Sequence, residues 1–83
     1  MLFCVDAIQS IGIIPFDLKA IQADFVMADM HKWMFGPEGV ALFYCRPALR
    51  EQLRLHEYGW RMLDDMSNYT PAEYEITHTA RRF

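Results

Sequence analysis

The chain has 83 residues, of which 53% are hydrophobic and 23% are charged, with a formal net charge of −3 at pH 7. A chain of this length is at most one domain, and it buries only about 60–65% of the surface that its unfolded form exposes. Acidic and basic residues are interspersed, which excludes a basic stripe for nucleic acid, and no window reaches the roughly 18 apolar residues of a membrane span.

Two continuous apolar runs predict buried strands in the first third of the chain. The first, "LFCV", covers residues 2–5 and ends at Asp6, and the second, "FVMA", covers residues 25–28. Between them, Asp17 is the predicted N-cap of a short amphipathic helix in "LKAIQA". The connection of 19 residues is long enough for a crossover, so we expect the two strands to run parallel.

The rest of the chain predicts one returning strand and little further regular structure. Only eleven residues, two of them glycine, separate the second run from the next apolar run, "VALFYC" over residues 40–45. A connection this short is not a crossover, so we expect the third strand to return antiparallel. Pro47 suits the first position of a helix over residues 47–55. Residues 56–83 predict an irregular connection with aromatic anchors. The predicted fold class is therefore α/β, with two parallel strands, an antiparallel strand and short helices.

The cysteines and histidines indicate neither a disulfide framework nor a metal site. Cys4 lies inside one apolar run and Cys45 ends another, so both are predicted to be buried thiols of a reducing, cytoplasmic protein. His56 and His78 have no metal-ligand spacing with other candidates. The apolar fraction is high for so small a unit, which indicates part of a larger domain whose other elements cover these strands.

Polar residues follow both predicted parallel strands. Asp6 and Gln9 come after the first strand, and His31 and Lys32 come after the second. Open α/β sheets bind ligands at the carboxyl edge of their strands, so we expect these four side chains to converge on one crevice. An acid and a lysine at one edge can also neutralise each other, so the spacing alone leaves a structural pair and a catalytic pair both open.

A more detailed pattern points to a family. The segments "VDAIQS" and "DFVMADMHKWMFGPEGVALFY" resemble the cofactor-binding core of the class V aminotransferases. These fold-type I pyridoxal phosphate enzymes include cysteine desulfurases, isopenicillin N epimerase-like proteins and kynureninases. The resemblance is close over residues 2–46 and looser beyond them. It implies a fragment of the aspartate aminotransferase-like large domain of a PLP-dependent transferase, with residues 1–46 as the core of the cofactor site.

The resemblance implies a role for each matching residue. Lys32 would form the Schiff base with the cofactor and later act as the general base on the substrate α-proton. Asp6 would hold the proton on the pyridine nitrogen, Gln9 would donate to the ring oxygen, and His31 would contact the phosphate or its hydrogen-bond network. Many relatives carry serine where this chain has Asp29, which is a poor partner for an anion, so Asp29 is not assigned to the cofactor.

The implied function is that of a pyridoxal phosphate-dependent, aminotransferase-type enzyme of class V acting on an amino acid as its small-molecule substrate, with a homodimer as the full-length form. Cysteine desulfurase of the same family is the alternative reaction. The alternative that is not an enzyme is a catalytically inert, truncated chain in which Asp6 and Lys32 merely pair. Nucleic acid and membrane are not expected as partners.

Overall fold

The computed structural model describes residues 1–67 and 73–83, and it consists of two compact units, Met1–Arg46 and Pro47–Phe83. Residues 68–72 of the predicted irregular connection lie outside the described residues. The first unit contains strands and one helix: β1 Cys4–Asp6, α1 Leu18–Ile21, β2 Phe25–Asp29 and β3 Ala41–Cys45. The second contains helix α2 and two 3₁₀ turns: Pro47–Arg50, Trp60–Met62 and Ala80–Arg82.

The three strands form one mixed sheet in the order β1-β2-β3. β1 pairs parallel with β2, with Asp6 opposite Met27, and β2 pairs antiparallel with β3, with Met27 opposite Phe43. The α/β class and the directions of all three strands are therefore confirmed. The lengths of the two connections carried this information, because only the first can accommodate a crossover.

The core of the first unit lies on one face of this sheet. Side chains alternate between faces along a strand, so Val26 and Ala28 point to the same side, where they are buried with Ala7 and Ala23. Partly buried apolar residues of the crossover pack against this cluster, namely Ile11, Phe16, Leu18 and Ile21. Three of the four cluster members are alanines, so the crossover can lie close to the strands.

The opposite face carries aromatic residues that remain accessible. The rings of Phe25 and Phe43 stack with their centroids 6.3 Å apart, and Phe43 keeps 44% of its surface exposed. Cys4 lies on this face and is exposed, which corrects the prediction of a buried thiol, whereas Cys45 is buried as predicted. The apolar runs predicted strands covered on both faces, but in this chain the crossover covers only one.

Helix α1 begins and ends where its side chains allow. The Asp17 carboxylate accepts from the amides of Lys19 and Ala20, at 2.8 and 3.4 Å, which confirms the predicted N-cap. Gln22 takes a left-handed conformation with φ 57°, and its amide donates to the Leu18 carbonyl, so the helix ends after Ile21.

Two predicted boundaries are wrong. β1 begins at Cys4 and not at Leu2, because the Phe3 carbonyl accepts from the Asp24 amide outside the regular ladder. The helix predicted over residues 47–55 ends at Arg50 and continues only as a turn, in which the Leu53 amide donates to the Leu49 carbonyl. None of its four residues is buried, and a helix without a packed face is marginal.

A buried carboxylate ties the sheet of the first unit together. Asp24 is 8% exposed, and its Oδ2 accepts from the Phe3 amide at 2.7 Å. Its Oδ1 lies 3.3 Å from the Arg46 Nε, and the Arg46 amide donates to the Asp24 carbonyl at 2.9 Å. Asp24 therefore fixes the start of β1 and the end of β3 at the amino-terminal end of β2.

The second unit is held by short backbone contacts. The amide of Thr77 donates to the Met62 carbonyl at 2.9 Å, and that of Asp64 donates to the Glu75 carbonyl at 3.0 Å. Met62 and Thr77 are its buried side chains. Across both units, the helices described are far too short to span a lipid bilayer.

Candidate active site

The candidate site lies at the carboxyl edge of the two parallel strands. β1 ends at Asp6 and β2 at Asp29, and the pairing of Asp6 with Met27 lets β2 project two residues further. The carboxyl ends of both strands therefore lie at the same edge of the sheet. The segments with the four predicted site residues start from that edge, as the parallel arrangement requires.

The segment after β1 presents a carboxylate and an amide to solvent. The Ala7 amide donates to the Met27 carbonyl at 2.8 Å, which anchors the turn to the sheet. The Asp6 Oδ1 accepts from the Ile8 amide at 3.1 Å, so one carboxylate oxygen fixes the turn. Asp6 and Gln9 are both exposed and so are accessible to a ligand.

The segment after β2 closes on itself around Lys32. The Met30 amide donates to the Val40 carbonyl and the Gly36 amide to the Met30 carbonyl, both at 2.9 Å. The Phe35 amide donates to the Lys32 carbonyl at 3.1 Å, and Phe35 takes the left-handed conformation with φ 54°. These bonds constrain the Lys32 backbone on both sides, so Lys32 lies in the hydrogen-bonded part of the loop.

The side chains on this loop differ in their exposure. Lys32 is half-buried, whereas its neighbour His31 and the strand-end residue Asp29 are exposed. Within the described part of the chain, Lys32 forms no ion pair with Asp6. The pair that the inert alternative requires is therefore not formed among these residues. An amine and a carboxylate that are not paired with each other both remain available to a ligand at this edge.

No second site of metal type emerges. Among residues 1–67 and 73–83, no group of three or more histidine, cysteine or carboxylate side chains is placed to hold a metal ion. The chemistry available at the sheet edge is therefore that of one amine, carboxylates, an amide and an imidazole.

One polar cluster in the second unit escaped sequence analysis. Glu51 Oε1 lies 2.8 Å from both His78 Nδ1 and Arg82 Nη1. The hydrogen bonds from His78 and then Arg82 hold the pKa of Glu51 below its usual value. His78 has no metal-ligand spacing in the sequence, and its contact with Glu51 was not predicted. Its partner lies 27 positions away, and no local pattern reports a contact at that separation.

The Asp24–Arg46 bridge of the first unit escaped for the same reason. Its sequence signal is only a charged residue before the apolar run of β2 and another after the apolar run of β3. The charges of each cluster are paired within that cluster. Both clusters therefore support the fold and not the predicted ligand edge.

Comparison with known proteins agrees with this geometry. The family model described as aminotransferase class-V matches residues 1–83. "Cysteine desulfurase IscS" of Photobacterium profundum is 32% identical over 83 residues, covering 100% of this chain and 20% of that relative. A "Probable cysteine desulfurase" of Streptomyces coelicolor is 37% identical over 79 residues, covering 90% of this chain and 19% of the relative.

A plant relative matches a shorter stretch more closely. "Probable L-cysteine desulfhydrase, chloroplastic" of Arabidopsis thaliana is 50% identical over 42 residues, covering 51% of this chain and 9% of that relative. The chain thus spans between 9% and 20% of the length of these three relatives.

Proposed function

Because the chain belongs to the class V aminotransferase family, a family of enzymes, we propose that it forms the core of a pyridoxal phosphate site. The full-length protein would act on an amino acid through Lys32. The observation that carries this proposal is the sheet edge, where an exposed carboxylate and a half-buried primary amine follow two adjacent parallel strands without pairing.

The donor set at this edge suits the cofactor. Asp6 offers a carboxylate for a protonated ring nitrogen, and one of its oxygens is already oriented by the Ile8 amide. Gln9 offers an amide donor for the ring oxygen, and His31 offers a donor for the phosphate. Lys32 offers a primary amine on a loop whose backbone is fixed. These chemistries match the four functions that the cofactor requires.

Bound pyridoxal phosphate supplies an aldehyde that accepts an amine and a ring that accepts electrons. Lys32 would hold the cofactor through Nζ and would serve as the general base that takes and returns the α-proton of the substrate. Asp6 would keep the ring nitrogen protonated, because a carboxylate beside it favours the charged form. Partial burial of Lys32 limits competing water at the amine.

Amino-group transfer is the first candidate reaction, because it is the general activity of the family. Cleavage of L-cysteine is the second, and the relatives favour it, since their names include cysteine desulfurase and L-cysteine desulfhydrase. Incubation of the full-length protein with L-cysteine, and separately with amino acid and keto acid pairs, distinguishes them. Sulfide or persulfide formation from L-cysteine supports the second reaction, and transfer of the amino group to the added keto acid supports the first.

The cofactor assignment has a sharper test, because Lys32 has a matched control in the second lysine of this chain, Lys19. The full-length protein is incubated with pyridoxal phosphate, reduced with borohydride and digested, and the modified peptide is identified by mass. We expect the label on Lys32. Lys32→Ala should abolish it, whereas the matched variant Lys19→Ala should retain it, because Lys19 lies in α1. A label on a lysine other than Lys32, or none in the wild type, contradicts the proposal.

We also propose a homodimer and a cytoplasmic site of action for the full-length protein. The dimer follows from the family resemblance alone, and the compartment from the two cysteines, Cys4 and Cys45, which are present as thiols. One plant relative is named as chloroplastic, so the compartment varies among relatives. Sedimentation of the full-length protein and fractionation of cells test the two proposals separately.

A further inference from the structure

The loop that carries Gln9 and the loop that carries Lys32 touch through their backbones at one glycine. A Cβ built at Gly12 would lie 2.3 Å from the Trp33 carbonyl oxygen and 2.7 Å from its carbonyl carbon. It would also lie 3.1 Å from the Met34 nitrogen. The neighbouring group is thus the peptide bond that follows Trp33, which cannot rotate aside as a flexible side chain can.

The backbone conformation at Gly12 favours the same residue. Its φ of +96° lies in the region that L side chains rarely adopt. The turn around it is closed by hydrogen bonds from the Ile13 and Ile14 amides to the Ser10 carbonyl, at 3.2 and 3.1 Å. The hydrogen bonds of its own turn therefore hold Gly12 in place, and Gly12 limits how closely the Trp33 carbonyl can approach the segment after β1.

The contact falls next to the reactive lysine. Trp33 follows Lys32 directly, and the other side of the Lys32 loop is fixed by the bond between the Met30 amide and the Val40 carbonyl. The bonds within this loop set its shape, and the Gly12 contact sets its distance from the segment after β1. That distance determines how far the Lys32 amine lies from the Asp6 carboxylate and from Gln9.

We infer that Gly12 is a positioning residue for Lys32. The inference rests on the proposed function, and it adds a residue outside the predicted cofactor set. A side chain at Gly12 would push the Trp33 carbonyl away by about 0.7 Å, because Cβ atoms do not approach other heavy atoms closer than 3.0 Å. A misplacement of about 1 Å at a reacting group can slow a reaction about 100-fold. We therefore expect Lys32 to react about 10- to 100-fold more slowly when Gly12 is replaced by alanine.

Gly39, in the segment that leads from β2 to β3, provides a matched control. Its φ of +79° is equally unusual for an L residue, but a Cβ there meets nothing within 4 Å in the described part of the chain. Gly39→Ala therefore introduces the backbone strain without the collision, and Gly12→Ala introduces both. The difference between the two variants isolates the contact with Trp33.

The experiment measures how fast Lys32 of the folded, full-length protein takes up added pyridoxal phosphate, trapped with borohydride at timed intervals. We expect Gly39→Ala to label Lys32 within about twofold of the wild-type rate and Gly12→Ala to label it about 10- to 100-fold more slowly. Thermal midpoints of both variants are recorded alongside. A purely structural role would lower the midpoint and leave the labelling rate of the folded protein unchanged.

Equal labelling rates for Gly12→Ala and Gly39→Ala would overturn the inference and leave the proposed function intact. Absence of label on Lys32 in the wild type would overturn both. If Gly12→Ala does not fold, amide hydrogen exchange of the wild type decides instead. Coupling is reciprocal, so loading Lys32 should slow exchange of the Gly12 and Ile13 amides about fivefold or more, and unchanged exchange would refute the contact's role.

Discussion

Replacing Asp6 by asparagine separates the chemical role of this residue from its structural one. Asparagine keeps the Oδ1 that accepts from the Ile8 amide at 3.1 Å, so the exposed turn after β1 should persist. What disappears is the charge. A hydrogen bond to a charged group is worth about 1.5–3 kcal/mol, so proton removal from the substrate should slow about 10- to 150-fold.

The assay needs no knowledge of the reaction type. The full-length protein is mixed with an amino acid in D₂O, and loss of the α-proton signal is followed by NMR. Asp29→Asn is the matched control, because Asp29 is also an exposed carboxylate at the end of a strand on the same edge. It should exchange the α-proton at the wild-type rate, within about twofold.

Trapping with borohydride completes the comparison. Asp6→Asn should still carry the label on Lys32, because its loop is held by the bonds at Met30, Phe35 and Gly36 and not by Asp6. Wild-type exchange in Asp6→Asn would refute the reasoning, and so would an equal loss in Asp29→Asn. The second result would mean that general negative charge at the edge, and not a specific contact with the ring, supports proton removal.

Two further predictions concern the clusters that support the fold. Asp24→Ala removes the acceptor of the Phe3 amide and the partner of Arg46, which should cost about 2 kcal/mol locally and speed hydrogen exchange at the Phe3 amide about 30-fold. Folding lowers the pKa of Glu51, so its cluster stabilises the folded form above the usual value of 4.5, and this stabilisation is lost as the pH falls through the lowered pKa. The Glu51 Cδ chemical shift, followed in protein labelled with ¹³C-glutamate, should therefore titrate below pH 4.5.

Each of these predictions has its own control. Asp17→Ala removes an exposed N-cap of α1, so it should leave exchange at Phe3 unchanged, and a similar acceleration there would argue against a local role for Asp24. Arg82→Met should move the Glu51 midpoint towards 4.5, as should added salt, because the cluster is exposed and screening weakens it. A midpoint at or above 4.5 in the wild type would contradict the contacts at Glu51.

Strand direction and the helix start could be predicted from the sequence because they depend on local quantities. The apolar runs located β2 and β3 to within a residue, and the connection lengths decided parallel against antiparallel. The capping of α1 by Asp17 needs only a carboxylate at the right offset from the first helical amides.

The failures occurred where the outcome depends on packing. The exposure of Cys4 depends on which face of the sheet the crossover covers, and an apolar run does not distinguish one covered face from two. The helix from Pro47 ended early because none of its residues found a buried partner. Periodicity reports that a face is apolar and not whether anything packs against it.

For the candidate site, too, the sequence pointed to some residues but not to the contacts between distant segments. Resemblance proposed roles for Asp6 and Lys32, but it did not indicate the contact between the two loops, because Gly12 meets a backbone carbonyl and leaves no complementary side chain in the sequence. The Asp24–Arg46 bridge likewise depends on strand ends that meet only after the sheet has formed.

The central claim is that Asp6 and Lys32 bracket one pyridoxal phosphate ring at the carboxyl edge of β1 and β2. A crystal structure of the full-length protein with its cofactor tests this most directly. We expect continuous density from Lys32 Nζ to the cofactor and an Asp6 oxygen about 2.7–2.9 Å from the ring nitrogen. A cofactor bound away from this edge, or a ring nitrogen facing a residue other than Asp6, would contradict it.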